Sequence, residues 1–302
     1  MNDSIGPNPT KNTQYQIVVG LWEFLQGLRL ALKFTAKLAS RYVFDCVEVK
    51  AGENVDCLIS SCCGSVFVSS KVTRRVASIG SPMYVLLQSE EVSKVVNVVQ
   101  LWSDITNKLG LSVVQGNLVI SDLSGRKGTS GMRLEVKSYK GDKPFVDIRS
   151  VEDRVLRRSG RVVVTIKEYL SQVQDVSGKL FSPVNRGSLT NFLSSISSNI
   201  KTLRFVVSKG CLFLKGNRFS LCLGSVVPNQ SSEIKVSDTS RSLLEVDVQL
   251  HELVIVDPRL LYEVVEELVG DVIVDVGGQD DPLCFTDTGG HTVYMMGREE
   301  SR

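Results

Sequence analysis

Apolar residues recur at three- and four-residue intervals in four stretches of the chain, and short β-branched runs fill the intervals between them. The first stretch, residues 20–39 (GLWEFLQGLRLALKFTAKLA), sets Leu21, Leu25, Leu28, Leu32 and Ala36 on one side of a helix. The second, 89–102 (SEEVSKVVNVVQLW), predicts a helix with Ser89 as N-cap and Glu90 and Glu91 in its first turn. Its valines oppose that assignment, because β-branched side chains lose rotamer freedom in a helix. A third helix is expected near 187–199 (GSLTNFLSSISSN). The fourth opens at Asp257-Pro258, where Asp caps and Pro takes the first helical position, and runs to Gly270.

Between the helices lie segments rich in valine, isoleucine and aromatics, broken by glycine and asparagine: YVFDCVEVKAG, VDCLISSCCGSVFVSSKV, SPMYVLLQ, LSVVQGNLVISD and GMRLEVKSY in the first half, TLRFVVSKG, CLFLKGN, FSLCLGSVV, EIKVSD, SLLEVDVQLHELVIV, DVIVDVG, PLCFTD and HTVYMMG in the second. Residues 150–180 read as irregular apart from the strand RVVVTIKEYL. The order helix, strands, helix, strands occurs twice. It predicts an α+β chain of two similar domains, each with two helices packed on antiparallel β-sheets. The divisions expected are a flexible tail over 1–14, a first domain over 15–160, a connector over 161–181 and a second domain over 182–302.

Charge sharpens this picture. Residues 1–218 carry 30 Lys and Arg against 17 Asp and Glu, and residues 219–302 carry 5 against 16, so a net charge of +2 conceals a basic part and an acidic part. Segregation of this kind suggests a polyanion-facing surface. Arg29, Lys33, Lys37 and Arg41 recur every four residues, a spacing that draws like charges into one stripe of the first helix. Either the stripe is a solvated face or phosphates compensate it.

The chain has seven cysteines and two histidines, with neither a CxxC pair nor a zinc-ligand spacing, so no metal or other cofactor is expected. The cysteines lie in apolar runs and read as reduced, packed side chains. The basic loop 125–131 (GRKGTSG) lacks the GxxxxGK[ST] pattern and is no P-loop. Cys62-Cys63 and His291 are the best catalytic candidates, but no triad, paired-acid motif or nucleotide loop accompanies them, and an enzyme is not expected. No apolar run reaches the ~18–20 residues of a membrane span. The polar first residues lack the apolar core of a secretory signal, so an intracellular site is expected.

Several segments resemble the sliding clamps of DNA replication, in particular the proliferating cell nuclear antigen family. Ser182–Leu193 (SPVNRGSLTNFL) is similar to the opening of a second clamp domain, Val163–Leu170 followed by SQVQDVSG stands in the place of an interdomain connector, Val246–Leu250 and Val254–Pro258 precede the last helix, and Pro282–Phe285 with Gly289–Met296 resemble the closing hairpin. The resemblance spans about 15–298 in element order and is specific in sequence only over about 160–298. It implies a processivity factor without catalytic residues that holds double-stranded DNA regardless of sequence. The DNA contacts it implies are Arg29, Lys33, Lys37 and Arg41 first, then Lys94, Lys201 and Arg204. It also implies a groove for short hydrophobic motifs of a DNA polymerase and other replication proteins, lined by Ile59, Leu170, Val173, Val176, Met295 and Met296. It implies a homo-oligomeric ring joined by edge strands, a trimer if six domains encircle DNA, with a dimer or a monomer as the alternatives. The working place would be a nucleus, a viral replication site or, for a phage or bacterial chain, the cytoplasm. Two other readings stand beside it: a subunit of a checkpoint-type heteromeric clamp, and an α+β interaction module with no DNA role. The acidic part is expected to face away from DNA.

Overall fold

The computed structural model describes residues 17–37, 40–52, 56–77, 82–123, 131–157, 161–174, 180–226, 251–277 and 281–297. The chain repeats one unit four times: a strand, a helix, then a three-stranded antiparallel meander. The first unit is β1 (Ile17–Gly20), α1 (Leu21–Lys33), β2 (Cys46–Ala51), β3 (Cys57–Cys62) and β4 (Val66–Val72), with β5 (Arg74–Ala77) appended. The second is β6 (Met83–Gln88), α2 (Ser89–Gln100), β7 (Lys108–Val114), β8 (Asn117–Asp122) and β9 (Arg133–Val136). Helix α3 (Ile148–Arg157) leads to the third: β10 (Val162–Ile166), a short hairpin of β11 (Val173–Gln174) and β12 (Leu180–Phe181), α4 (Arg186–Ile196), β13 (Leu203–Ser208), β14 (Cys211–Gly216) and β15 (Phe219–Ser225). The fourth is β16 (His251–Val256), α5 (Pro258–Glu267), β17 (Val272–Val276), β18 (Leu283–Asp287) and β19 (His291–Met295).

Within each half the leading strands are exchanged. β1 pairs with β7 and β6 with β2, and β10 pairs with β17 and β16 with β13, all antiparallel. Neither unit of a half can complete its sheet without the other. The halves are then joined by β19 lying antiparallel on β4, from His291 opposite Ser70 to Met295 opposite Val66, which makes one eight-stranded sheet across the junction. The doubled α+β architecture expected from element order is therefore present.

Local chemistry explains the helices. α1 buries Leu21, Phe24, Leu25, Leu28 and Ala31. It ends at Lys33, short of the expected 39: the Thr35 hydroxyl donates to Leu32 O (2.9 Å), and the Phe34 N–H turns back to Ala31 O (3.2 Å). Lys37 and Arg41 therefore do not sit on the helix. In α2, burial of Val92, Val95, Val96 and Val99 outweighs their poor helix propensity. Ser89 is its first helical residue rather than its cap, and the Ser89 N–H donates to Asp45 O at 2.8 Å. α4 is capped by Asn185, whose side chain accepts from Ser188 N–H, and α5 by Asp257, which accepts from Arg259 N–H.

α3 occupies part of the stretch expected to be irregular. Ile148, Val151 and Val155 mark one face of it, and they pack with Phe67, Phe145, Cys284 and Tyr294. Val66, Val68, Phe285, Val293 and Met295, neighbours of Phe67, Cys284 and Tyr294 along the same strands, enter the main core of the second half. The junction sheet is thus covered on both faces, which accounts for its nearly continuous apolar strands. Leu30 of α1 and Phe34 just past its end are buried in that second core as well, so the core crosses the junction. The segment expected as connector, 161–181, supplies β10 to the second half's sheet and the β11–β12 hairpin.

Candidate nucleic-acid interface

Helices α1, α2, α4 and α5 form one layer. α1 packs on α2 and α4 on α5. Across the junction the Lys33 ammonium reaches Glu266 (3.0 Å) and Glu267 (2.6 Å), tying α1 to α5. Burial pulls the Lys33 ammonium down, but its bonds to Glu267 and Glu266 outweigh that and hold its pKa above the ordinary lysine value. The Tyr262 hydroxyl donates to Glu266 (2.6 Å); that bond first, and Lys33 second, push the Glu266 carboxyl below its usual range. Helix α5 belongs to the second, acidic part of the chain. Its Glu266 and Glu267 meet the basic Lys33 of the first part, so acidic and basic residues share this layer.

The expected basic residues divide by neighbour. Arg29 is exposed on α1 and donates from Nη2 to Gln100 Oε1 of α2 (2.8 Å). Lys37 lies in the loop after α1, 3.1 Å from Glu90, and Lys94 lies 2.6 Å from Glu91 one turn away. Arg41 stacks its guanidinium over the Tyr42 ring, 4.8 Å from the centroid. Lys201 is exposed between α4 and β13, and Arg204 is half-buried on β13. Counted along α1, α2, α4 and α5 there are five basic side chains (Arg29, Lys33, Lys94, Arg186, Arg259) against six acidic ones (Glu23, Glu90, Glu91, Glu263, Glu266, Glu267). The helix layer is close to neutral, and three of its five cations, Lys33, Lys94 and Arg259, are held next to carboxylates, while Arg29 bonds to Gln100 and Arg186 to the Leu268 carbonyl.

Of the residues expected to line a peptide groove, two are core residues. Ile59 and Met295 are fully buried in the first and second cores respectively, so neither offers surface to a partner. Both sit on strands covered by helices or by the facing sheet, where alternate positions turn inward. Met296 is half-buried, and its N–H donates to Ser65 O (2.9 Å). Leu170 is exposed before the β11–β12 hairpin, and Val173 lies opposite Phe181 in that hairpin. Val176 lies outside the described residues, as do the loop 125–130, the tail 1–14 and the strand expected at EIKVSD.

The weak catalytic candidates are core residues. His291 is buried, its backbone N–H donates to the Asp287 carboxylate Oδ1 (2.9 Å), and its Nδ1 lies 3.0 Å from Ser70 Oγ. Burial pushes the Cys46, Cys57 and Cys62 thiols up to about 12, far from the thiolate range. Alkylation of the native protein at pH 8 should therefore spare these three and reach half-exposed Cys63 first, as peptide mass spectrometry would read. Fast labelling of Cys57 would contradict the packing of β3.

Between the loop after α1 and the segment that follows β9, a groove of about 400 Å³ is lined by Lys37, Tyr42, Phe44, Asp45, Tyr139 and Lys143, with Val43 at its base. No sequence pattern announced it, because its two walls lie about a hundred residues apart. Val43 N–H donates to Pro144 O (3.1 Å), Ala36 N–H to Phe44 O (2.8 Å) and Tyr139 N–H to Leu86 O (2.7 Å), so backbone bonds fix both walls.

No protein-family model matches the chain, and no curated protein matches it. Solved structures do. The DNA polymerase sliding clamp from Bacillus subtilis superposes with a TM-score of 0.63 at 8% identity over 98% of this chain and 67% of that one. The sliding clamp from Pseudomonas aeruginosa gives 0.62 at 12% over 99% and 70%. The Helicobacter pylori beta clamp bound to a DNA ligase peptide gives 0.62 at 8% over 98% and 69%. The four-unit architecture is thus that of the sliding clamps, spread over nearly the whole of this chain and about two thirds of theirs.

Proposed function

We propose that this chain is a sliding clamp: a non-catalytic processivity factor that holds duplex DNA without sequence preference and tethers replication proteins to it. The observation that carries this reading is the fourfold strand–helix–meander unit with its exchanged leading strands, over which the sliding clamps match 98–99% of the chain. In this reading the halves of the chain are two clamp domains and the helix layer faces the duplex. Arg29, Arg41, Lys37, Lys94, Lys201 and Arg204 are its phosphate contacts, with Lys33 held in reserve by Glu266 and Glu267. Exposed ion pairs such as Lys37–Glu90 are worth only ~0–1 kcal/mol, so phosphates and carboxylates exchange a lysine at little cost. A near-neutral wall with exchangeable cations grips weakly and glides. Partner peptides would dock near exposed Leu170 and half-buried Met296; the H. pylori clamp was solved with a DNA ligase peptide bound. An intracellular replication site suits that role.

Ring assembly draws on the sheet edges. β4 and β19, the third strands of the first and fourth units, pair within the chain, while β9 and β15, the third strands of the other two, end their sheets. Pairing β9 with β15 of the next copy repeats the internal junction and closes a ring of identical chains, a trimer if six domains surround the duplex. A second reading, a subunit of a heteromeric ring, is favoured by one bond: Val184 N–H already donates to Cys222 O on β15 (2.9 Å) and blunts that edge.

Two measurements test the proposal together. Light scattering on the pure protein should give roughly 100 kDa, three times 33.2 kDa. Fluorescence anisotropy with duplexes of unrelated sequence should give equal affinities that fall steeply with salt. A stable 33.2 kDa species that binds duplex only with added partner chains selects the heteromeric reading. Absence of duplex binding at low salt in any oligomeric form overturns the clamp reading.

A further inference from the structure

The groove between the loop after α1 and the segment after β9 has chemistry that the helix layer lacks. Three aromatic rings, those of Tyr42, Phe44 and Tyr139, line it beside the ammonium groups of Lys37 and Lys143. The Arg41 guanidinium lies on the Tyr42 ring and adds a third cation at the rim. Asp45 is the carboxylate in the lining, and its main-chain O is engaged by Ser89 N–H at the start of α2. Lys37 has an exposed partner, Glu90, whose side chain is 74% accessible, as is that of Lys37 itself. Such a pair yields readily to a phosphate.

We infer that this groove binds an unpaired strand of nucleic acid, its bases stacking on Tyr42, Phe44 and Tyr139 and its phosphates meeting Lys37, Lys143 and Arg41. Flat rings reward a base only when its face is free, so a duplex, whose bases are stacked on each other, gains nothing from them. Cations alone would take any polyanion; rings and cations interleaved select a chain that carries both a phosphate and an aromatic face at each step. The surroundings agree in sign. Residues 35–45 and 137–149 together carry Lys37, Arg41, Lys137, Lys140, Lys143 and Arg149 against Asp45, Asp142 and Asp147, an excess of cations that disfavours a cationic ligand such as a metal ion and favours a polyanion. Position agrees too. The groove opens where α1 ends and α2 begins, at the end of the helix layer, so a strand that parts from a duplex lying on that layer meets it first. The backbone bonds from Val43 to Pro144, from Ala36 to Phe44 and from Tyr139 to Leu86 hold the walls in place before any ligand arrives.

The test uses the full-length protein, an oligothymidylate of about a dozen nucleotides, matching the few-to-sixteen-nucleotide footprint of single-strand sites, and a duplex of the same length. Joint replacement Tyr42→Ala and Tyr139→Ala should weaken single-strand binding at least tenfold, the loss expected from removing one or two base stacks. The joint Tyr42→Phe and Tyr139→Phe variant should retain it, and duplex affinity should stay within about twofold in both. Joint Lys37→Ala and Lys143→Ala, at two exposed positions that leave the fold intact, should lower the salt slope for the single strand by about one to two. A 5-iodouracil strand should photocrosslink to Tyr42 or Tyr139. The inference is overturned if the Ala pair binds the single strand as wild type does, if the crosslinks map elsewhere, or if a Glu/Tyr copolymer occupies the groove and the oligothymidylate cannot displace it. Because duplex binding is read in parallel, loss of the clamp reading and loss of this site give different results.

Discussion

Joint replacement of Glu266 and Glu267 by Gln should tighten duplex binding roughly three- to tenfold at low salt and steepen the slope of log affinity against log salt by about one to two. In the native chain the Lys33 ammonium lies 3.0 Å from one of these carboxylates and 2.6 Å from the other. A phosphate that approaches Lys33 must displace both and then sit beside two negative charges. Gln keeps the volume of Glu and still accepts from Tyr262, so the packing of α5 stays as it is while the charge goes. Adding Lys33→Ala to the double variant should cancel the gain, which identifies Lys33 as the group set free. Lys33→Ala alone should change duplex binding little, because the charge it removes is already neutralised. Arg29→Ala should weaken binding in either background, since its partner Gln100 carries no charge to compete with phosphate. Anisotropy titrations at four or five salt concentrations read all of these. If the Gln pair leaves the slope unchanged, the α1–α5 crossing does not face DNA.

Much of the architecture was legible because its signals are local. Asp257-Pro258 starts α5 by a cap and a fixed φ, and the heptad-like leucines of α1 point one way whatever surrounds them. The strand exchange left no trace in the sequence: β1 must cross to β7 and β6 to β2, and nothing in IVVG or MYVLLQ names a partner. α3 was obscured because Arg149, Glu152, Asp153, Arg154 and Arg157 dilute the spacing of Ile148, Val151 and Val155.

The candidate site was legible in part, and the reason is the same. Four-residue spacing places Lys37 and Arg41 on α1 only if the helix continues, and Phe34 and Thr35 end it first. Which carboxylate meets which lysine depends on contacts across 233 residues of chain, as between Lys33 and Glu266. Ile59 and Met295 look like surface-worthy apolar groups in a short motif, yet both are wholly buried once the sheets close. The groove of Tyr42, Phe44, Tyr139 and Lys143 exists only because Val43 and Phe145 bridge in parallel, a contact no periodicity foretells.

The strongest effect on stability is expected at Gly27. Glycine inside a helix costs about 1 kcal/mol relative to alanine, and α1 accepts that cost at a buried position. The reason is close approach to the sheet. A Cβ at residue 27 would lie 2.9 Å from Ile59 Cδ1, 3.2 Å from Ser70 Cβ and 3.6 Å from Val72 Cγ2. Ile59 is fully buried and Ser70 sits in the strand that carries the junction, so neither has room to retreat. Gly27→Ala should come out between neutral and about 2 kcal/mol destabilising, as better helix propensity offsets part of the overpacking. Gly27→Val adds two more carbons to the same gap, and its cost should reach about 3 kcal/mol or more in urea melts. Combining Gly27→Ala with Ile59→Val, which withdraws the Cδ1 atom, should recover part of the loss, and a double-mutant cycle should return a favourable coupling of roughly 0.5–1 kcal/mol or more. The consequence extends past the first core. Leu30, one turn further along α1, and Phe34, just past its end, are buried in the second core, and Lys33 between them reaches α5. A helix lifted off β3 and β4 by valine at position 27 must drag those anchors with it. The melt of Gly27→Val should therefore remain one cooperative transition at lower urea, whereas two separated transitions would show that the halves fold independently and that the shared core contributes little.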